Sequence, residues 1–353
     1  MRVAIDARLA GPGLGIGQFA TRLARALVAR GDIEVIWLGE LPEPLANVRA
    51  VPLFGRLPYP VLDSAVTARA IRRLGADLIH FPGNTGWRRR ATLPALLTVH
   101  DLIFTRSGGA GRPRQRLGHR YERHTVPRAV RAATRVVAVS EATAADIRRV
   151  GWRPDVHVIR HGATTAVASG AARVDREAPY LVAFAGRDPR KATDLVVAAF
   201  RRLRGRVARL DLLASGGLPE GFAQMAGDLV AGGEVVVHPR LDRAELDALV
   251  QRATALVYPS RDEGFGLPVL DGMTLGVPVV TGLCAATREV GGDAVLTIDP
   301  AAPAQSIAEA VERLLRDPDL SDALAERGRR RAAGYSWEEA ARQYVGAYRA
   351  VTA

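Results

Sequence analysis

The chain has one cysteine, Cys284, so no disulfide can form within it. That usage fits a reducing compartment. Cys284 follows an apolar, strand-like run and reads as a small buried side chain. Lysine is almost as scarce: of 49 basic residues only Lys191 is a lysine. A compact ammonium with rotatable donors can touch a phosphate where a planar guanidinium does not fit, so this position stands out. No apolar run reaches about 18 residues, and no membrane-spanning helix is expected. The N-terminal stretch MRVAIDARLAGPG carries an Asp inside its short apolar run. It reads as a strand leading into a glycine loop and not as a signal peptide. The seven histidines are scattered, and no metal-ligand spacing stands out.

What is present is ordinary for a globular protein: 353 residues, 48% hydrophobic and 24% charged. That length suggests about two domains, with enough chain to bury a sizeable core without staples. The net charge of +12 is uneven, because residues 1–162 carry a balance of +14 and the remainder −2. An acidic partner for the N-terminal half is one reading; a solvated, arginine-rich surface is the other. Twelve strand-like runs, from Val3–Ile5 to Ala294–Ile298, alternate with amphipathic stretches such as Gly17–Ala29, Asp194–Leu203, Ala244–Gln251 and Ser306–Arg316. This rhythm predicts an α/β fold with two parallel sheets of about six strands, each with crossover helices. Small residues without periodicity over His161–Glu177 mark the boundary. The last segment, Ser336–Val351, reads as a helix with Ser336 as N-cap and Glu339 completing a capping box.

Ligands of open parallel sheets bind beyond the carboxyl ends of the strands, so the loops there are where chemistry is expected. The first such loop leads to Gly15-Ile16-Gly17, a loose match to a dinucleotide fingerprint. Glycines there let backbone approach an anion at a helix N-terminus. Nine residues separate Ile5 from Gly15, too many for the tight dehydrogenase turn, and a purely structural turn is the alternative. His100 and Asp101 follow strand Ala95–Val99. A histidine so placed can donate a hydrogen bond or move a proton, or simply be tied to a backbone carbonyl. Gly186-Arg187-Asp188-Pro189-Arg190-Lys191 puts three cations on one loop, a ready clamp for a diphosphate. The bland alternative is a surface charge run. After Ala255–Tyr258 come Asp262, Glu263, Gly264, Phe265, Gly266, Leu267 and Pro268, then a helix through Asp271. The glycines free amides at a helix start to meet a phosphate, Pro268 suits the first turn, and Glu263 can face substrate hydroxyls. A carboxylate favoured by the helix dipole explains Asp271 alone, but not the set.

Together these residues resemble the retaining glycosyltransferases of the GT4 type, with the GT-B fold. Glu263–Val280 looks like that family's E-x7-E signature and the G-x-P-V-V after it, and Gly186–Lys191 like its phosphate loop, one residue shorter. Gly15-Ile16-Gly17, His100-Asp101, Ser140-Glu141, His161-Gly162 and Trp337 fall in the expected order. The bacterial mannosyltransferase-like branch is the most similar. The resemblance implies two doubly wound Rossmann-like domains facing a deep cleft, with a C-terminal helix that crosses back. Residues 1–165 plus 337–353 would bind the acceptor, and residues 166–336 the nucleotide sugar. It also implies a nucleotide-diphosphate sugar donor, GDP-mannose by branch, and neither a cofactor nor a metal.

By the same resemblance, Arg187 and Lys191 stabilise the leaving diphosphate. Glu263 holds a donor-sugar hydroxyl, and Gly264, Phe265, Gly266 and Leu267 line sugar and phosphate. Asp271 binds ribose, His100 sits near the anomeric carbon, and Gly15, Ile16 and Gly17 approach the diphosphate. The family usually has Glu where this chain has Asp271, one methylene shorter. The expected reaction moves a hexose with retention to a hydroxyl of a glycan, lipid-linked or small-molecule acceptor. A phosphorylase, an epimerase, or a non-catalytic sugar-nucleotide or polyanion binder are the rivals. No nucleic acid is expected, since no motif interleaves aromatics with the arginines. The most basic stretch, Arg112–Arg131, is a candidate for peripheral contact with anionic membrane on the cytoplasmic side.

Overall fold

The computed structural model describes residues 1–8, 15–41, 44–45, 47–52, 64–106, 113–164 and 178–353, with backbone alone for 113–115. Residues 11–14 of the first glycine loop, 165–177 of the expected boundary and Arg112 of the basic stretch lie outside them. The chain forms two units, residues 1–162 with 335–353 and residues 163–334.

The first unit is built on seven parallel strands: β1 (Arg2–Asp6), β2 (Glu34–Leu38), β3 (Val48–Val51), β4 (Leu78–Phe81), β5 (Ala95–Val99), β6 (Arg135–Ala138) and β7 (Val156–Val158). Their order is β3-β2-β1-β4-β5-β6-β7. A parallel sheet covered on both faces needs strands that are apolar throughout, and β4 and β5 are buried at every residue. Ile36, Ile79, Leu97 and Val136 pack one core. Val3, Ile5, Leu78 and Leu96 pack another with Phe19, Leu23 and Leu27 of helix Gly15–Ala29 and Tyr344 and Tyr348 of helix Trp337–Thr352. The last helix of the chain thus belongs to the first unit, as the resemblance implied.

One polar chain runs through that second core. His80, wholly buried in β4, bonds Tyr348 Oη through Nδ1 at 2.8 Å and Thr98 Oγ1 through Nε2 at 2.8 Å. Thr98 Oγ1 in turn meets Tyr344 Oη at 3.0 Å. Buried polar groups need partners, and here the partners of the sheet's histidine are on the terminal helix. Gly162 marks how closely that helix starts: a Cβ there would lie 2.4 Å from the backbone nitrogen of Trp337. Ser336 caps the helix by accepting from the Glu339 N–H at 3.0 Å. The expected capping box is only half made, because the Glu339 carboxylate bonds Arg342 and Gln343 instead. A complete box forms at helix Arg243–Gln251, between Asp242 and Glu245.

The second unit carries β8 (Tyr180–Phe184), β9 (Arg209–Leu213), β10 (Val235–His238), β11 (Ala255–Tyr258), β12 (Val279–Thr281) and β13 (Leu296–Thr297), all parallel, in the order β10-β9-β8-β11-β12-β13. Counted within each unit, the first sheet runs 3-2-1-4-5-6-7 and the second 3-2-1-4-5-6, so the winding reverses between β1 and β4 and again between β8 and β11. Such reversal points are where doubly wound sheets bind ligands. Among the described residues no helix is long and apolar enough to cross a membrane.

The buried network makes acid stability testable. Burial, with the charge on His100 adding to it, pulls His80 from its ordinary 6.5 down to about 3. Between those values the unfolded chain takes up a proton that the folded ring refuses, so stability is present above the window and is lost as pH falls through it. Urea midpoints should therefore drop from about pH 7 to about pH 4, and drop less steeply in His80→Gln. Tyr348→Phe should lose about 1–3 kcal/mol at neutral pH. Equal slopes in wild type and His80→Gln would remove His80 as a source of acid lability.

Candidate active site

The two loops at the β8/β11 reversal are built to bind each other. After β8, Asp188 turns the chain: its carboxylate accepts from the Arg190 N–H at 3.0 Å and from Arg190 Nε at 2.9 Å. Pro189 opens a single 3-10 turn, Pro189–Lys191. Ala192 follows in the left-handed region, with φ of 52°. That conformation costs an L-residue about 1–2 kcal/mol, and such strain gathers at functional sites. After β11, Gly266 reaches φ of 107° as the chain enters helix Leu267–Thr274, with Pro268 in its first turn. Cross-bonds dock the loops: Arg261 N–H to Arg190 O at 2.8 Å, Arg190 Nη1 to Asp262 O at 2.9 Å and Arg261 Nη1 to Pro189 O at 2.8 Å.

Glu263 lies at the centre of this arrangement. Its Oε1 accepts from Lys191 Nζ at 2.8 Å, Tyr258 Oη at 2.6 Å and Ser260 Oγ at 2.7 Å, with Arg190 Nη1 at 3.6 Å. Lys191 Nζ also donates to Tyr258 Oη at 2.6 Å. All of these converge on Oε1, and among the described residues no bond reaches Oε2. The Glu263 side chain is 14% exposed. Burial alone would raise its carboxyl; the charges of Lys191 and Arg190 and the bonds from Lys191 and Tyr258 outweigh that and hold it below the usual range. Burial and the neighbouring carboxylate push the Tyr258 hydroxyl well above its ordinary value, so it remains a donor. The result is a carboxylate fixed and charged on one oxygen, with lone pairs of the other left to accept from a hydroxyl.

The other expected residues fall into two groups. Gly264, Phe265 and Gly266 are buried and Leu267 half-buried at the start of the helix, whose first amides have no intrahelical acceptor. Arg187 is exposed and outside the Glu263 network. Its guanidinium lies on the turn after β9, where a Cβ on Gly217 would come within 2.6 Å of Nε. Asp271, buried, is engaged by Thr164 Oγ1 on Oδ1 and by Arg243 Nη1 at 3.3 Å on Oδ2. Among the described residues no cluster of His, Cys, Asp or Glu could hold a metal ion.

In the first unit, His100 follows β5 with its N–H bonded to Asn84 Oδ1 at 2.8 Å. Its Nε2 is 2.7 Å from the Pro82 carbonyl, so that nitrogen carries the proton. The ring packs edge-on to Phe19 at 4.9 Å and beside His161 at 5.4 Å. Burial lowers it to about 4, against the pull of the Pro82 bond, and it is neutral near pH 7. The reading as a histidine tied to a backbone carbonyl thus describes its geometry. Gly15, Ile16 and Gly17 form the first turn of helix Gly15–Ala29, and Ile16 lies over Gly83, just beyond β4. Sequence reasoning did not single out Tyr258 and Ser260 as the partners of Glu263, nor Asn84, Thr164 or Arg243. Only the spacing of Ser260, three residues before Glu263, hinted at such a contact.

Comparison with known proteins decides the family. The family model for glycosyl transferases group 1 matches residues 171–331, and that for glycosyltransferase family 4 matches residues 14–167. A D-inositol 3-phosphate glycosyltransferase of Salinispora arenicola is 30% identical over 84% of this chain and 73% of its own length. The chain belongs to the group 1 glycosyltransferases. A Frankia alni protein of the same name is 34% identical over 50% of the chain, and the match spans only 46% of that protein. An O-antigen chain mannosyltransferase B of Escherichia coli is 38% identical over 30% of the chain and 27% of its own length. Among solved structures, the sucrose-phosphate synthase of Thermosynechococcus elongatus aligns with a TM-score of 0.73, at 20% identity, over 99% of this chain and 98% of that one. That likeness speaks to the fold alone. The group 1 membership and the two parallel sheets, both wound 3-2-1-4-5-6 with a seventh strand added in the first, together bear out the GT-B expectation of two Rossmann-like domains.

The Glu263 network makes a prediction of its own. Lys191→Met leaves a half-buried carboxylate with fewer donors and should cost about 1–3 kcal/mol at neutral pH. Because Lys191 holds the Glu263 carboxyl down, that loss should shrink as pH falls through the carboxylate range. Lys191→Met combined with Glu263→Gln should recover part of it, a coupling of about 0.5–3 kcal/mol in a urea double-mutant cycle. Strictly additive losses would mean the two side chains are not energetically linked.

Proposed function

We propose that the second unit binds a nucleotide-diphosphate sugar on the loops after β8 and β11, and that the chain transfers the sugar to an acceptor hydroxyl with retention of configuration and without a metal. The observation that carries this reading is the Glu263 carboxylate, bonded at the reversal of the sheet through Oε1 alone among the described residues. In this reading Oε2 accepts from a donor-sugar hydroxyl. Lys191 and the exposed Arg187 neutralise the departing diphosphate, the work a metal ion does elsewhere. The amides of Gly264, Phe265, Gly266 and Leu267 meet phosphate and sugar, and Asp271 serves the ribose. A departing phosphate oxygen takes the acceptor proton, so no second catalytic carboxylate is needed. The roles of His100, Gly15, Ile16 and Gly17 rest on the family resemblance, and His100 would act as a neutral hydrogen-bonding ring.

Mannose, carried as GDP-mannose, is the proposed hexose, supported by the local match to the Escherichia coli mannosyltransferase. The acceptor is a glycan, lipid-linked or small polyol. The longer match to an enzyme named for D-inositol 3-phosphate supports the small, phosphorylated kind. The proposed location is the cytoplasm, in keeping with a chain that has one cysteine and no internal disulfide.

The direct test is a thermal-shift screen of UDP-, GDP-, ADP- and dTDP-sugars, followed by turnover of the strongest binder in excess EDTA. A donor should stand out by mass action. Turnover should persist in EDTA, and Lys191→Ala should lower it by about 10²–10³-fold. Strict metal dependence would contradict the cation clamp. Free phosphate acting as acceptor would mean a phosphorylase, and an isomerised sugar without transfer an epimerase.

A second reading concerns the basic helix Pro113–Ala132, where Leu117 is 69% exposed beside exposed Arg116 and Arg120. An apolar side chain flanked by cations fits the surface of an anionic bilayer at the inner face of the membrane. Flotation with anionic vesicles should carry wild type upward, and Arg116→Glu with Arg120→Glu should not float. Equal recovery of both would remove this helix as the contact.

A further inference from the structure

A cluster beside the proposed donor loops has a chemistry of its own. The sheet of the second unit is parallel, so the carboxyl ends of β8, β10 and β11 share one edge. The loops holding Lys191 and Glu263 rise from that edge, and so does the start of helix Arg243–Gln251, which follows β10. Arg243 is the first residue of that helix, and the Asp242–Glu245 capping box fixes its backbone. Its guanidinium pairs with Asp271 Oδ2 through Nη1 at 3.3 Å and with Asp247 through Nη2 at 2.7 Å. The Arg243 side chain stays 39% exposed while that of Asp271 is 11% exposed. Guanidinium carries five N–H donors in a rigid fork, so two anchoring contacts leave donors over.

Family resemblance puts a Glu at position 271, where a longer carboxylate would meet the ribose alone. A carboxylate only accepts hydrogen bonds and a guanidinium only donates them. A ribose offers two adjacent hydroxyls, each able to do both. The shorter Asp271 is held by Arg243 on Oδ2 and by Thr164 on Oδ1; each carboxylate oxygen accepts more than one bond, so Asp271 and Arg243 present an acceptor and a donor side by side.

We propose that Arg243 is a specificity residue for the nucleoside of the donor, reading the ribose diol jointly with Asp271. The 3′-hydroxyl donates to the Asp271 carboxylate and the 2′-hydroxyl accepts from Arg243. This rests on the donor-site reading above and adds to it the residue that distinguishes a ribonucleotide from its 2′-deoxy counterpart. Asp247 positions the guanidinium and does not touch the ligand.

The test is calorimetric titration of the full chain with UDP, GDP and ADP and with their 2′-deoxy counterparts. Wild type should bind one ribonucleotide about 5–10-fold tighter than its 2′-deoxy form, the worth of one such hydrogen bond. Arg243→Ala should weaken the ribonucleotide by a similar factor and bring the two forms within about twofold of each other. Adding Asp271→Glu to Arg243→Ala should restore the preference, because a longer carboxylate can meet both hydroxyls alone. In turnover, Arg243→Ala should raise the donor KM more than it lowers kcat. Arg243→Lys, which keeps the charge but loses the fork, supplies a folded variant if Arg243→Ala is unstable, and should also narrow the preference. An unchanged preference in a folded Arg243 variant would overturn the role of Arg243 while leaving the donor site standing. A wild-type chain that binds none of the three ribonucleotides would overturn the donor-site reading and this one with it.

Discussion

Burying the carboxylate of Glu263 is the constraint on which the second unit depends. An acid this shielded from solvent persists as an anion only if cations and donors reach it, and here they come from two separate loops. Lys191 arrives from the loop after β8; Tyr258 and Ser260 arrive from the end of β11. Satisfying one oxygen therefore aligns two strands' worth of loop at the place where the sheet reverses. The left-handed Ala192 and the turn headed by Asp188 follow from that demand, since both shape the backbone that delivers the ammonium. Dispensing with the carboxylate would remove the reason for both.

The first unit solves a similar problem in its interior. His80 interrupts a wholly buried strand, and its partners are Thr98 and the hydroxyls of two tyrosines on the terminal helix. Apolar packing alone would hold that helix with loose register. The hydroxyl chain and the close approach at Gly162 specify where it sits. The two units share a winding order but use buried polarity differently, one to fix a helix and the other to fix a charge.

Much of this was legible in the sequence, because parallel strands buried on both faces leave unbroken apolar runs. All twelve expected strands are present. A thirteenth among the described residues, Val48–Val51, escaped notice because it lies at the sheet edge, little buried and with an arginine in its middle. The pairing of Lys191 with the Glu263 loop was legible from a lone lysine and from motif order. What the sequence did not disclose is where bonds go once side chains choose among partners. Glu339 turned to Arg342 and Gln343 and left the capping box half made. Arg190, read as one of three clamp cations, is spent on Asp188 and the Asp262 carbonyl. Arg243 sits 28 positions from Asp271, and no local pattern joins them.

The near absence of lysine has a chemical consequence once the structure is known. The one ε-amine of this protein is bonded to Glu263 and Tyr258 and is 25% exposed. Any reagent or cellular metabolite that acylates or carbamylates side-chain amines has a single lysine to find, and it lies in the proposed site. For most proteins such modification is a blur spread over the surface. Here, among side chains, it would act as an on–off mark at one position.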